Sequence, residues 1–167
     1  MLRKQTALHI AGAILVCAMG TLAHFVYEWS GNNPVVGLFC AVNESTWEHI
    51  KLLFFPMLLY TGWRAVRTHG REPAATAAFL AGNLAGCVCI PVVFYTYTGI
   101  LGFHLLALDI GTFVVSVAVA FIVARRAMRW VGLARWRGAL IGATALWAAA
   151  FFAFTFMPPN IGLFVSP

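Results

Sequence analysis

Long runs of apolar residues separated by short polar stretches divide the 167-residue chain into repeated segments. The runs are continuously apolar and do not alternate with polar residues, which is typical of membrane-spanning helices and not of barrel strands. Five runs are long enough to cross a bilayer as helices. The predicted spans cover about residues 7–27, 45–63, 74–95, 101–124 and 138–156. The pattern therefore predicts an all-α polytopic membrane helix bundle, with residues 1–167 forming a single transmembrane domain.

One further apolar stretch, at about 34–42, follows a turn-rich connection. It is too short to cross about 30 Å of hydrocarbon as a helix. We expect a short re-entrant or interfacial segment at this position.

Composition supports the membrane class. Hydrophobic residues make up 62% of the chain and charged residues 10%, and the mean hydropathy is +0.86. A soluble domain carries about 25% charged residues. The lipid bilayer is therefore the expected partner. The net charge of +6 does not indicate a nucleic-acid-binding protein, because the basic residues lie in short loops between predicted spans.

The basic residues also predict an orientation. Of the 11 Lys and Arg residues, two lie at the N-terminus, three in the second-to-third loop and five in the connector at 125–137. All three regions lie on one side of a five-span chain. By the positive-inside rule the N-terminus is inside and the C-terminus outside. We expect a multi-pass protein of the bacterial inner membrane whose connector at 125–137 contacts anionic lipid.

Ionisable side chains gather at the outer ends of three predicted spans, a placement that in membrane proteins marks functional sites. His24 and Glu28 lie one turn apart at the end of the first span. The candidate catalytic residues are Glu44, Glu48, His49, Lys51 and Asp109. The candidate metal ligands are His24, Glu28, His49, His104 and Asp109. We expect a single outward-facing His/Glu/Asp pocket.

Structural roles compete with these assignments. The Ser45-x-x-Glu48 spacing fits a helix capping box, and Lys51 is placed to form an ion pair with Glu48 one turn away. Asp109 has no cation nearby in the sequence. Its expected partners are Lys51, His49 or His24 across the bundle.

Three chemistries fit the candidate residues. Imidazole and carboxylate groups suit a divalent metal such as Zn²⁺, Mn²⁺ or Fe²⁺. The acids and Lys51 suit a proton or ion pathway. A haem held between His24 and His104 is the weakest of the three, since only the histidines favour it.

The stretch Asn43-Glu44-Ser45-x-Trp47-Glu48-His49-x-Lys51-Leu52-x-Phe54-Phe55-Pro56 resembles the signature of the DUF6512-type family of small bacterial integral membrane proteins. That family is of unknown function. The resemblance implies an integral membrane protein and transfers no activity, cofactor or catalytic residue.

The favoured hypothesis is a metal-assisted membrane enzyme acting on a lipid or lipid-linked substrate at the outer interface. A small proton- or ion-coupled transporter is one alternative, and it would require a homo-oligomer because five spans make a thin pathway. A structural or partner-binding membrane subunit is the other. Whether the chain is an enzyme stays open at this point.

Overall fold

The computed structural model of the chain describes residues 2–166, with side chains described from Thr6 onward. Helices and connecting turns account for this range, which contains no strand. The helices are α1 (Leu2–Trp29), α2 (Pro34–Gly37), α3 (Thr46–Arg67), α4 (Pro73–Leu101), α5 (Leu106–Ala127) and α6 (Arg137–Phe156). Two 3₁₀ turns, Leu133–Trp136 and Gly162–Phe164, complete the secondary structure of the described range. The side chains of Arg3 and Lys4, which carry the predicted N-terminal charge, lie outside the described residues.

Helix α3 lies at the centre of the fold and contacts α1, α4 and α5. Of its 22 residues 12 are buried, and Leu53, Phe54 and Met57 are completely enclosed. Phe54 and Trp47 pack against Phe151 at inclined ring angles, which brings α6 onto the same core. The hydrophobic core therefore surrounds α3.

Four helical segments in the described residues are long and apolar enough to cross a membrane. They are Thr6–Trp29, Pro73–Leu101, Leu106–Ala127 and Leu133–Phe156. This finding supports a multi-pass membrane protein. Helix α3 is not among the four because it carries Glu48 and Lys51 near its start and two arginines in its last turn. A helix that contacts protein on several sides can carry such residues without exposing them to lipid.

Small residues set the closest helix contacts. A side chain at Gly82 would meet the backbone oxygen of Ala120 at 2.3 Å, and one at Gly86 would meet Ser116 O at 3.0 Å. The Gly82-x-x-x-Gly86 spacing thus lets α4 approach α5 closely. Gly20 of α1 lies in the same way against Leu52 O, the carbonyl that loses its helical partner because Pro56 has no N–H.

The turn after the third span lies later in the chain than the sequence predicts. Thr96–Gly99 remains helical, so the predicted turn there and the predicted end of the span near residue 95 are wrong. The hydroxyls of Thr96 and Thr98 donate to carbonyls one turn earlier, which allows both residues to stay in the helix. Gly102, with φ of 80°, ends α4 in the left-handed conformation that glycine favours. As a result α5 begins at Leu106, not near residue 101.

The connection between α1 and α3 contains the four-residue helix α2 and then folds back onto the bundle. Asn33 caps this helix by accepting a hydrogen bond from Val35 N at 2.9 Å. Gly37, Cys40 and Ala41 are buried. Burial raises the pKa of the Cys40 thiol, which favours its neutral form in this packed position.

Candidate functional site

The start of α3 positions most of the candidate residues. Ser45 is the N-cap, and its hydroxyl accepts a hydrogen bond from Glu48 N at 3.4 Å. Asn43 supports the cap by accepting a hydrogen bond from Ser45 N at 2.9 Å. The carboxylate of Glu48 does not return to Ser45 N, as a full capping box requires, but accepts from Val42 N at 2.9 Å. Ser45 is therefore a cap, while Glu48 has a different role.

Glu48 and Lys51 form a buried ion pair, with 2.5 Å between Lys51 Nζ and Glu48 Oε2. The side chain of Lys51 is 0% exposed, so it does not extend outward to water. Its ammonium also donates to Gly37 O at 2.8 Å and to Thr155 Oγ1 at 3.0 Å. An ammonium has three donors, and three acceptors surround this one. The pair ties the α2 connection and α6 to α3 and is closed to a ligand.

A second group of side chains, the His24/Glu44/His49 cluster, joins α1, the connection and α3. His24 Nε2 lies 3.6 Å from Glu44 Oε1, and His49 Nε2 lies 3.5 Å from Glu44 Oε2. One ligand atom from each of the three residues falls within 4.8 Å of the others. The histidine side chains are about one-third exposed and Glu44 is 65% exposed, so the cluster is open on one side.

The cluster has the chemistry of a metal site. His49 Nδ1 lies 2.9 Å from Ser45 O and donates to it, so in the neutral ring Nε2 carries the lone pair that a metal requires. A carbonyl that accepts from the other ring nitrogen in this way orients metal-binding histidines. The gaps of 3.5 and 3.6 Å exceed a normal hydrogen bond of about 2.7–3.2 Å. Ligands on one tetrahedral zinc at about 2.0–2.2 Å are roughly 3.3–3.6 Å apart. The two gaps between histidine and glutamate are of this size but involve different oxygens of Glu44, and the three ligand atoms as a group lie within the wider limit of 4.8 Å.

Glu28 does not join this cluster. It is exposed, one turn beyond His24 on α1, and its carboxylate makes no hydrogen bond or ion pair within the described part of the chain. It lies on the same helix face as His24.

His104 and Asp109 form a third group, the His104/Asp109/Tyr97 cluster, at the turn between α4 and α5. His104 Nδ1 lies 3.2 Å from Asp109 Oδ2, and Tyr97 OH donates to Asp109 Oδ1. Lys51, His49 and His24, the partners expected for Asp109, are not its partners in the structure. Because the hairpin places the end of α4 beside the start of α5, Asp109 obtains its partners locally. Tyr97 was not a candidate because it lies between the predicted spans 74–95 and 101–124.

The structure therefore distributes the predicted residues, apart from Glu28, among three groups instead of one pocket. Two pairs of the predicted metal set lie together. His24 and His49 form one pair, and Glu44, predicted as a catalytic residue, lies between them. His104 and Asp109 belong to the hairpin group.

The model of one protein family matches residues 2–166, which is nearly the whole chain, and its description is a family of unknown function, DUF6512. The chain belongs to this family. Neither the curated proteins nor the solved structures contain a match to it. Membership supplies no ligand set, so the chemistry of the site depends on its geometry.

Proposed function

We propose that this protein is a metal-dependent membrane enzyme whose ion is held by His24, Glu44 and His49. The convergence of these three ligand atoms within 4.8 Å is the observation that carries the proposal. Two histidines and one glutamate are the ligand set of several catalytic zinc sites, in which the fourth position stays open to water or substrate. The exposure of Glu44 supports an open position on the accessible side of the cluster.

A divalent ion held here would lower the pKa of a coordinated water and polarise an ester or phosphoryl oxygen. The chain's own residues would orient the metal ligands and transfer the proton. Ser45 O holds His49 in the required tautomer, and the cap of α3 holds Ser45. Glu28 is the carboxylate we assign to proton transfer, since it is exposed and follows His24 by one helical turn.

A lipid or lipid-linked substrate suits the surroundings of this cluster. Phe25 lies 5.1 Å from the His24 ring, and Trp29 stacks on Phe25 at 5.8 Å. Both aromatic side chains are largely exposed at the end of α1. Aromatic side chains at helix ends favour the headgroup level of a bilayer, which is where the ester and phosphoryl bonds of lipids lie.

The proposed setting is the bacterial inner membrane, with five spans including α3. The basic connector would then face the cytoplasm and the metal cluster the outside. Arg125 and Arg126 end α5, and Arg135 lies 5.9 Å from the Trp136 ring. Arginines next to tryptophan suit contact with anionic lipid headgroups.

The polar residues deeper in the bundle favour an enzyme over a transporter. Thr112 and Ser116 are buried, but their hydroxyls donate to carbonyls of their own helix at 2.8 and 2.7 Å. Asn83 donates to Phe54 O at 3.2 Å. The polar groups of these residues form hydrogen bonds within the bundle. They do not continue the His24/Glu44/His49 cluster into a polar pathway across the protein.

Metal analysis tests the proposal. We expect purified protein to hold about one divalent ion per chain. His24→Ala, Glu44→Ala and His49→Ala should each weaken metal binding by more than the roughly 10–100-fold that follows loss of a residue hydrogen-bonded to a ligand. His104→Ala is the matched control, because it removes a histidine from the separate hairpin group. Metal content measured by mass spectrometry and Zn²⁺ affinity measured by calorimetry give the result. Absence of stoichiometric metal, or equal loss in His104→Ala, would contradict the proposal and favour a structural or partner-binding subunit.

A further inference from the structure

A cleft of about 400 Å³ lies apart from the metal ligands. Its walls come from the start of α3, the end of α4 with its turn into α5, and the C-terminal 3₁₀ turn. This volume falls within the roughly 300–1,000 Å³ typical of small-molecule sites. The residues that line it include Phe94, Tyr95, Phe103, Val165, Thr46 and His104.

His104 is the one imidazole among the residues that line the cleft, and Tyr95 is the other titratable side chain there. An ionised carboxylate only accepts hydrogen bonds, so His104 Nδ1 must donate to Asp109 at 3.2 Å. Tyr97 OH occupies the other oxygen of Asp109 and fixes the carboxylate. In the neutral ring the remaining nitrogen, Nε2, is then an acceptor. A ligand that complements this nitrogen carries a hydrogen-bond donor.

Apart from His104, the cleft is lined mainly by aromatic and other apolar groups, together with the hydroxyl-bearing residues Thr46, Thr98 and Ser166. Tyr95 of α4 and Phe103 of the turn that follows it are 44% and 56% exposed, beside helices that are apolar enough to cross a membrane. Such walls bury a hydrocarbon chain. An anionic headgroup is disfavoured because the Asp109 carboxylate lies directly behind the imidazole.

We propose that this cleft binds a single-chain lipid alcohol, with the chain against the aromatic wall and the hydroxyl donating to His104 Nε2. Asp109 and Tyr97 position the imidazole and do not contact the ligand. The site is independent of the proposed metal cluster.

The test compares an alcohol with its methyl ether, which matches the chain but cannot donate a hydrogen bond. Full-length protein in lipid nanodiscs is labelled with a diazirine-bearing long-chain alcohol, and unlabelled 1-dodecanol, dodecyl methyl ether and dodecanoate compete. In wild-type protein we expect dodecanol to compete about three- to tenfold better than the ether, a ratio that corresponds to the net free energy of one neutral hydrogen bond. Peptide mapping should place the label at the end of α4 and at the C-terminal turn.

His104→Phe keeps the aromatic bulk and removes the acceptor, so the alcohol-to-ether ratio should fall to about one. The ratio should persist in Glu44→Ala, which removes a proposed metal ligand, so loss of metal and loss of alcohol binding are observed separately. The wild-type comparison stands even if His104→Phe does not fold. Equal competition by alcohol and ether, stronger competition by dodecanoate, or labelling away from the cleft would each overturn the proposal.

Discussion

The ammonium of Lys51 lies among acceptors from three separate segments: Glu48 of α3, Gly37 of the connection and Thr155 of α6. Desolvation of such a charge is expensive and is offset only while every partner is present. The arrangement therefore specifies how these segments meet more than it adds net stability. Loss of one charged partner should therefore lower the free energy of unfolding strongly, while loss of both charges should lower it less.

We expect Lys51→Met to lower the free energy of unfolding by about 3–5 kcal/mol, because it leaves the Glu48 carboxylate buried without its cation. The double variant Glu48→Gln/Lys51→Met should recover a substantial part of that loss, since the glutamine oxygen can still accept from Val42 N. Unfolding in mixed detergent micelles, followed by tryptophan fluorescence, measures both. A single variant as stable as wild type would show that the ion pair does not hold the connection.

Some residue roles can be read from local spacing and others cannot. Ser45 caps α3 as its spacing predicts, because capping involves only residues within one turn. The ion pair of Glu48 with Lys51 also follows from local spacing, whereas the hydrogen bond from Val42 N to Glu48 could not be predicted because it depends on how the connection folds.

At the scale of helices, hydrophobic runs predict the five long helices well and their ends less well. The side chains of residues 96–101 are compatible with either a helix or a turn. The predicted end of α4 therefore lies about one and a half turns before the actual end. A left-handed Gly102 determines the actual end. Because the end of α4 was predicted too early, Tyr97 was not expected to lie beside Asp109 of the next helix, to which it donates a hydrogen bond.

The close contact between α4 and α5 depends on glycine. We expect Gly82→Ala to lower the free energy of unfolding by about 1–3 kcal/mol, because the new methyl group would lie 2.3 Å from Ala120 O and the backbone must move. Gly142→Ala is the matched control, since nothing lies within 4 Å of a side chain at that position of α6. It should be neutral or stabilising by up to about 1 kcal/mol from helix propensity alone. Unfolding of the two variants in the same micelles measures the difference, and equal behaviour would rule out close packing at Gly82.

At the scale of the whole molecule, the sequence indicates how deep each side chain lies along its helix but not which way it points around the helix axis. Basic loops and apolar lengths placed His24, Glu44, His49, His104 and Asp109 near the same end of the bundle. Which helix faces meet is decided by packing, for example by the glycines of α4, and this divides one predicted pocket into three groups. His24 and His49 meet because α1 packs on α3. His104 and Asp109 stay together because a short turn joins their helices.

Whether α3 crosses the membrane decides the orientation of everything after it. If α3 spans, the turns that flank it lie on opposite sides; if it does not, they lie on the same side. We expect Ser30→Cys, before α3, to react with a membrane-impermeant maleimide in intact cells, and Arg71→Cys, after α3, to react only after permeabilisation. Both positions are exposed, and the four native cysteines are replaced beforehand to remove background labelling.

Asn160→Cys, beyond α6, should be labelled like Ser30→Cys, because α4, α5 and α6 add three more crossings. Equal labelling of Ser30→Cys and Arg71→Cys in intact cells would instead place α3 within one leaflet, and the basic connector and the His24/Glu44/His49 cluster would then share a side.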